Sequence, residues 1–235
     1  FQAYHAQYPS HGYRWLNAKI RLDKGIILSN PYAHKCCKAA GIKSEAKHYK
    51  YKKPGAAGKV FPNLLLSELQ IDGPLQCIVS DMTAFRVKGV YYELTLYMDL
   101  WNNEIVSHSL SSKRGDRMTY ISGLKELLEL KKQYPEYQMI LHSDQGSVYA
   151  SKAYNDLLPM YVTRSMSRAG TPTDNGAMES INGWIKAELF MDFHVTGDRP
   201  VEIEIDEYIT FFNEQRPAYA LNYLTPKQYR EAYAP

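Results

Sequence analysis

A chain of 235 residues suits one large domain, or one domain with a small appendage, and its 45% hydrophobic and 23% charged residues are those of a water-soluble globular protein. No apolar run approaches the roughly 18 residues of a membrane span. The net charge of +3 hides an asymmetry: residues 1–60 hold 12 Lys or Arg against Asp23 and Glu45, a net +10, and the remainder carries −7. A basic arm on an acidic core is the pattern of a chain that grips nucleic acid with one part.

The opening "FQAYHAQYPSHGYR" has no signal-peptide pattern and no initiator Met, and it reads as the middle of a longer chain. Cys36, Cys37 and Cys77 form no C-x-x-C and no even-numbered framework, which points to a reduced, cytoplasmic setting. Adjacent Cys36 and Cys37 also lack the ligand spacing of a zinc site with His5, His11 or His34.

In chain order, Tyr13, Leu16 and Ile20 recur at helical spacing in "HGYRWLNAKIRLDKG", with Gly25 as the stop. "SNPYAHKCCKAAG" offers Ser29 or Asn30 as caps, Pro31 at the first helical position and Gly41 as the end. These short helices make residues 1–45 a small helical, DNA-binding-like region. Residues 46–73 read as a basic linker, in which Lys50, Lys52 and Lys53 alternate with Tyr49 and Tyr51 along a strip suited to phosphates.

From residue 74 the texture changes. "LQCIVSDMT", "YYELTLYMDL" and "EIVSHSLS" read as three strands, the last two joined by a turn at Asn102 and Asn103. Residues 116–133 carry Met118, Ile121, Leu124, Leu127 and Leu128 at helical spacing. "YQMILHSD" is a fourth strand, "SKAYNDLLPM" a short helix and "YVTRSMS" a fifth strand. Two helices follow, in "TDNGAMESINGWIKAELF" and "PVEIEIDEYITFFNEQR". Three strands in hairpin order followed by alternating helices and strands predict one mixed α/β sheet flanked by helices across 74–235.

Asp81 ends the first of these strands and Asp144 the fourth, so neighbouring strands would bring both carboxylates to one sheet edge. Asp174 or Thr173 is placed to cap the later helix. On that helix Asn175, Glu179, Asn182 and Lys186 share one face, while Met178, Ile181, Ile185 and Leu189 share another suited to packing on the sheet. Carboxylates gathered in one place repel by about 4 kcal/mol per pair at 4 Å and an effective dielectric of 20. Such a cluster persists when it is partly protonated or holds cations, and oxygen donors without His or Cys suit Mg²⁺ or Mn²⁺. Each residue also has a plain alternative: a strand-end turn for Asp81, a turn opener for Asp144, a solvated helix face for Glu179. Asp99, beside a hairpin turn, and Asp116, before a helix, compete on composition alone.

Together "SDMT", "HSDQGSVYAS", "SMSRAGTPTDNGAMESINGWIKAE", "YITFFNEQRPAYALNYLTPKQY" and the upstream "HGYRWLNAKIR" resemble the bacterial insertion-sequence transposases whose catalytic core is akin to retroviral integrases, of the second-reading-frame product type. The resemblance implies a ribonuclease H-like fold, with Asp81, Asp144 and Glu179 as an Asp-Asp-Glu triad binding two Mg²⁺ or Mn²⁺ ions. It implies DNA strand cleavage at the element's ends, then attack of the freed 3′-hydroxyl on another phosphodiester. Lys186, seven residues after Glu179, would contact DNA, together with Asn175 and Asn182 on the same face. Element ends and target DNA would be the partners, with a homo-oligomer assembled on them in the bacterial cytoplasm at the nucleoid. One departure stands: 34 residues separate Asp144 from Glu179 where the family usually has 35, and the missing residue falls between Leu157 and Ser165. The alternatives are a DNA-binding relative without catalysis and a ribonuclease H-type nuclease acting on RNA–DNA hybrids.

Overall fold

The alternating apolar residues of "CIVSDMTAFRV" build β1 (Cys77–Val87), the strand on which the sheet is organised. The structure is a computed structural model that describes residues 1–46, 59–168, 171, 174 and 176–234, the side chains of 176–180 excepted. Around β1 lie β2 (Val90–Asp99), β3 (Ile105–Ser111), β4 (Met139–Ser143) and β5 (Val162–Met166), in the spatial order β3-β2-β1-β4-β5. β1–β2 and β2–β3 pair antiparallel, whereas β1–β4 and β4–β5 pair parallel, the mixed sheet expected from the order of elements.

β1 differs from expectation in length. It continues six residues past Asp81, because Lys88 (φ 48°) and Gly89 (φ 81°) form a tight turn whose twist suits a hairpin. β1 and β2 therefore stay paired from Ile78↔Asp99 out to Val87↔Val90. The β2–β3 turn is as predicted, with Asn103 at φ 58°.

Parallel pairing of β1 with β4 requires a crossover, and α4 (Arg117–Lys131) supplies it. Asp116 caps α4, its carboxylate accepting from Met118 N–H, so that acidic residue has a structural task. Tyr120, Leu124 and Leu127 of α4 pack with Ile78, Tyr97, Leu141 and Met166 into a core closed by Tyr149 and Tyr154. Asp99 is likewise absorbed: buried at the end of β2, it accepts N–H bonds from Leu75 (2.7 Å) and Trp101 (3.0 Å).

The short α5 (Lys152–Asn155) leads by a brief connection into β5, and it is here that the chain is one residue shorter than the resemblance expects. β5 nevertheless pairs with β4 along its full length, from Met139↔Val162 to Ser143↔Met166.

The chain divides into two compact units, residues 50–181 with the sheet, and residues 1–49 with 182–234. The division crosses α6 (Gly176–Met191), whereas the sequence pattern treats 74–235 as one region. In the helical unit, α1 (Gln2–Gln7) and α8 (Pro226–Tyr233) join the anticipated α2 (Tyr13–Lys24), α3 (Asn30–Ala39) and α7 (Val201–Glu214). Gly25 ends α2 in the left-handed region and Ser29 caps α3, as expected. α8 starts with a capping box, Thr225 and Gln228 exchanging bonds, and "TPKQ" carries the signal for it. The unit's buried polar centre is Glu188, which accepts from Arg216 Nε (2.9 Å) and Tyr208 O–H (3.0 Å). Ile181, Ile185 and Leu189 of the predicted apolar stripe are buried, and the side chain of its fourth residue, Met178, lies outside the described residues.

This packing can be tested at two positions. A Cβ added to Gly123 on α4 would stand 2.7 Å from Cε2 of Tyr97, whose ring is held because its hydroxyl bonds both Tyr120 O and the Tyr154 hydroxyl. Gly123→Ala should therefore destabilise by about 1–2 kcal/mol, overpacking outweighing the gain in helix propensity of about 1 kcal/mol; denaturant unfolding measures it. His142 on β4 is fully buried between the hydroxyls of Ser165 (2.8 Å) and Ser167 (3.0 Å), and burial, helped by Arg164, lowers its imidazole to about 4. The unfolded chain takes that proton below about pH 6.5. Stability is then fully present above pH 6.5 and lost progressively as pH falls toward 4. By NMR in the absence of divalent ions the imidazole should remain neutral at pH 5; a midpoint near 6.5 would contradict this.

Candidate active site

The last residue pair of the parallel β1–β4 ladder is Ser80↔Ser143. Asp81 follows within β1, and Asp144 is the residue just after β4 ends. Asp81 and Asp144 therefore stand at one level of the sheet, each one residue beyond that pair. Neighbouring strands are about 4.8 Å apart, which sets the scale of their separation. Both residues are half-buried. The expectation that their strands are neighbours is met, with the difference that Asp81 lies within β1 rather than at its end.

Local bonds orient the two carboxylates. Asp81 Oδ1 accepts from the N–H of Met82 (2.8 Å). Asp144 Oδ1 accepts from the N–H of Gly146 (2.8 Å), the turn-opening bond anticipated for "SDQG". Gly146 allows this approach, because a Cβ there would lie 2.8 Å from the same oxygen. Burial raises the Asp144 carboxyl, and the Gly146 bond and the charge of Arg164 oppose that rise. Burial is the main reason the nearby Tyr120 hydroxyl is raised, followed by the charges of Glu93, Asp144 and Asp81.

Arg164 is a residue that the sequence pattern did not single out. Its guanidinium is buried on β5, donating to Leu141 O (3.0 Å) and Ser143 Oγ (2.8 Å), and Ser143 Oγ in turn donates to Asp144 O. A permanently charged Arg inside "YVTRSMS", which otherwise reads as a strand, was the available signal.

The segment entering α6 is tied to the same edge. Ser167 N–H donates to Ser143 O (3.0 Å), and Gln145 Nε2 donates to Ser167 O (2.9 Å). Asp174 then accepts from Arg168 through the backbone N–H, Nε and a terminal nitrogen, at 2.8–2.9 Å. These bonds, from the Arg168 side chain first, hold the Asp174 carboxyl well below the usual carboxylate range. Asp174, with Thr173 a candidate cap for this helix, makes this clamp two residues before α6 begins.

Glu179 lies in the first turns of α6, and its side chain falls outside the described residues, as do Thr173, Asn175, Lys50, Lys52 and Lys53. Among the described residues no group of three or more His, Cys, Asp or Glu is arranged to hold a metal ion, and Cys36, Cys37 and Cys77 are free thiols. Asn182 and Lys186, one turn apart on α6, are half-buried. No described helix is long and apolar enough to cross a membrane.

The family model described as "Integrase core domain" matches residues 160–226. The chain is 29% identical over 239 residues to the putative transposase InsK for insertion sequence element IS150 of Escherichia coli K12, covering 100% of this chain and 82% of that protein. It is 30% identical over 217 residues to the transposase for insertion sequence element IS904 of Lactococcus lactis, covering 91% and 85%. The fold is shared with the HTLV-2 integrase catalytic core domain in complex with magnesium, in its trimeric form, at a TM-score of 0.51 and 18% identity over 66% of this chain and 96% of that one. It is shared also with a chain of the simian T-cell lymphotropic virus intasome bound to the PP2A regulatory subunit B56 gamma, at 0.56 and 18% over 90% and 69%. The mixed sheet with flanking helices is therefore the ribonuclease H-like fold of the integrase catalytic core, and the chain belongs to the bacterial insertion-sequence transposases, enzymes that move DNA by polynucleotidyl transfer.

Proposed function

We propose that Asp81, Asp144 and Glu179 are the catalytic carboxylates of this transposase. The observation that carries this is the register: Asp81 and Asp144 each follow the last β1–β4 pair, half-buried at one level of neighbouring strands. Glu179 joins them on the strength of its place on α6, whose entry is clamped through Arg168 and Asp174 to the strand beside Asp144.

The donor set fits a hard divalent cation. Both described groups are carboxylates, and burial already disfavours the ionised form of Asp144, so a cation relieves a cost that the fold imposes. Asp81, Asp144 and Glu179 would hold two Mg²⁺ or Mn²⁺ ions, which when bound stabilise charge on the attacking and leaving oxygens of an in-line displacement. The Gly146 and Met82 N–H groups keep the two aspartates pre-oriented, so little reorganisation is required when substrate arrives. The reaction is hydrolysis of a phosphodiester at the element's end, water supplying the new P–O bond and the 3′-oxygen departing as a hydroxyl. That hydroxyl then attacks a second phosphodiester and displaces its 3′-oxygen. Lys186, Asn182 and Asn175 contact DNA beside the reacting phosphate, and Lys50, Lys52 and Lys53 follow flanking phosphates. A homo-oligomer assembled on the element ends and target, at the bacterial nucleoid, is the working form.

Asp81→Asn, Asp144→Asn and Glu179→Gln are each expected to lower metal-dependent nicking of element-end DNA by about 10³-fold or more, with binding to the same DNA in EDTA unchanged. If Glu179→Gln nicks as fast as the parent, Glu179 is not in the triad. Replacing Lys50, Lys52 and Lys53 by Gln should weaken duplex binding and flatten its dependence on log salt by about 0.9 for each phosphate no longer neutralised. An unchanged slope would make the stretch a tether only.

A further inference from the structure

The helical unit contains a cavity of about 770 Å³ that plays no part in the chemistry above. Its lining is Tyr13 and Arg14 at the start of α2, Asn30, Pro31 and His34 of α3, and Tyr219 from the turn before α8. Three of the six carry flat rings and one a guanidinium, and none is acidic. Tyr13 and His34 stand 4.8 Å apart, and the Arg14 guanidinium is 5.4 Å from the Tyr13 ring centre. Tyr219 is 67% exposed, although its ring edge is braced by Tyr223 at 5.5 Å and 89°. Tyr223 is in turn backed by the Arg21 guanidinium at 4.7 Å.

Behind the lining residue Asn30, Asn17, four residues after Tyr13 on α2, donates to the Asn30 side chain (3.2 Å) and to Leu28 O (3.0 Å). Asn17 is 4% exposed, and its own side-chain oxygen has no partner among the described residues. Asn30 is thus held in place from behind, while the exposed Arg14, Lys35 and Lys38 give the surroundings a positive potential.

We propose that this cavity is a pocket for an unpaired nucleobase of DNA, the base lying against Tyr13, His34 and Tyr219 with its phosphate at Arg14. Base–aromatic stacking needs ring faces within reach and a cation for the backbone, and it tolerates any base. An aliphatic or acidic ligand would leave either the rings or the cation unused. The pocket deepens the transposase reading, since strand cleavage and joining produce DNA with unpaired ends, and it depends on that reading only for the source of the strand.

The test is fluorescence anisotropy with the full chain in EDTA, so that the triad and its metals play no part. The probes are a labelled 12-mer of thymidine nucleotides, the same backbone without bases, and a blunt duplex. The thymidine strand should bind at least about tenfold more tightly than the abasic one. Tyr219→Ala should remove most of that ratio, Tyr219→Phe should keep it, and Arg14→Gln should weaken both single strands and lower their log-salt slope by about 0.7. Duplex binding should not respond to Tyr219→Ala. Equal binding of abasic and thymidine strands, or a ratio that survives Tyr219→Ala, would overturn the pocket. Metal-dependent nicking by the parent enzyme reports separately on the transposase reading.

Discussion

The parallel pairing of β1 with β4 is the constraint on which the rest of the sheet unit depends. Parallel neighbours cannot be joined by a tight turn, so the chain must leave the sheet after β3, cross it as α4 and return. That crossover brings Tyr120, Leu124 and Leu127 onto Tyr97 and Ile78, and the core closes over one face. The same pairing stops at Ser80↔Ser143, and the two residues that follow are both aspartates. Had the strands paired one residue out of register, Asp81 and Asp144 would not stand at one level of the sheet.

Charge at that edge is held in a balance of opposed effects. Burial raises the Asp144 carboxyl, while the Gly146 N–H and the buried Arg164 restore part of what water would have supplied. Arg164 also bonds Ser143, the residue on which the ladder ends, so one side chain serves both register and electrostatics. Tyrosines enclose the underside: the Tyr149 hydroxyl meets Ser80, and Tyr97 meets Tyr154. Buried hydroxyls paired in this way keep the floor of the edge polar yet dry, the environment in which fixed dipoles act most strongly.

The helical unit solves a different problem. Its elements come from both ends of the chain, so it needs long-range polar pins as well as apolar packing. Glu188 of α6 is one, taking Arg216 and Tyr208, with the His11 ring 3.3 Å away and stacked on Trp15 at 3.7 Å. Asp192 is another, accepting from Ser10. Removing one partner from so buried a cluster leaves a charge uncompensated, which makes the cluster a device for specifying one arrangement of the chain ends.

The sequence by itself determined the elements and the chemistry of the edge residues. Period-2 apolar runs set the strands, Gly25, Ser29 and Asp116 set helix ends, and "HSDQG" set the turn that holds Asp144. These are local effects, written within a few residues of where they act. Tertiary structure alone decided which acidic residues had other tasks: Asp99 was taken by Leu75 and Trp101, Asp174 by Arg168. It also decided that Arg164 lies buried behind Asp144, and that Tyr219 completes a cavity begun by Tyr13 more than two hundred residues earlier. No local pattern encodes such meetings, because they depend on which strands pair and how loops close, and those are set by burial summed over the whole chain.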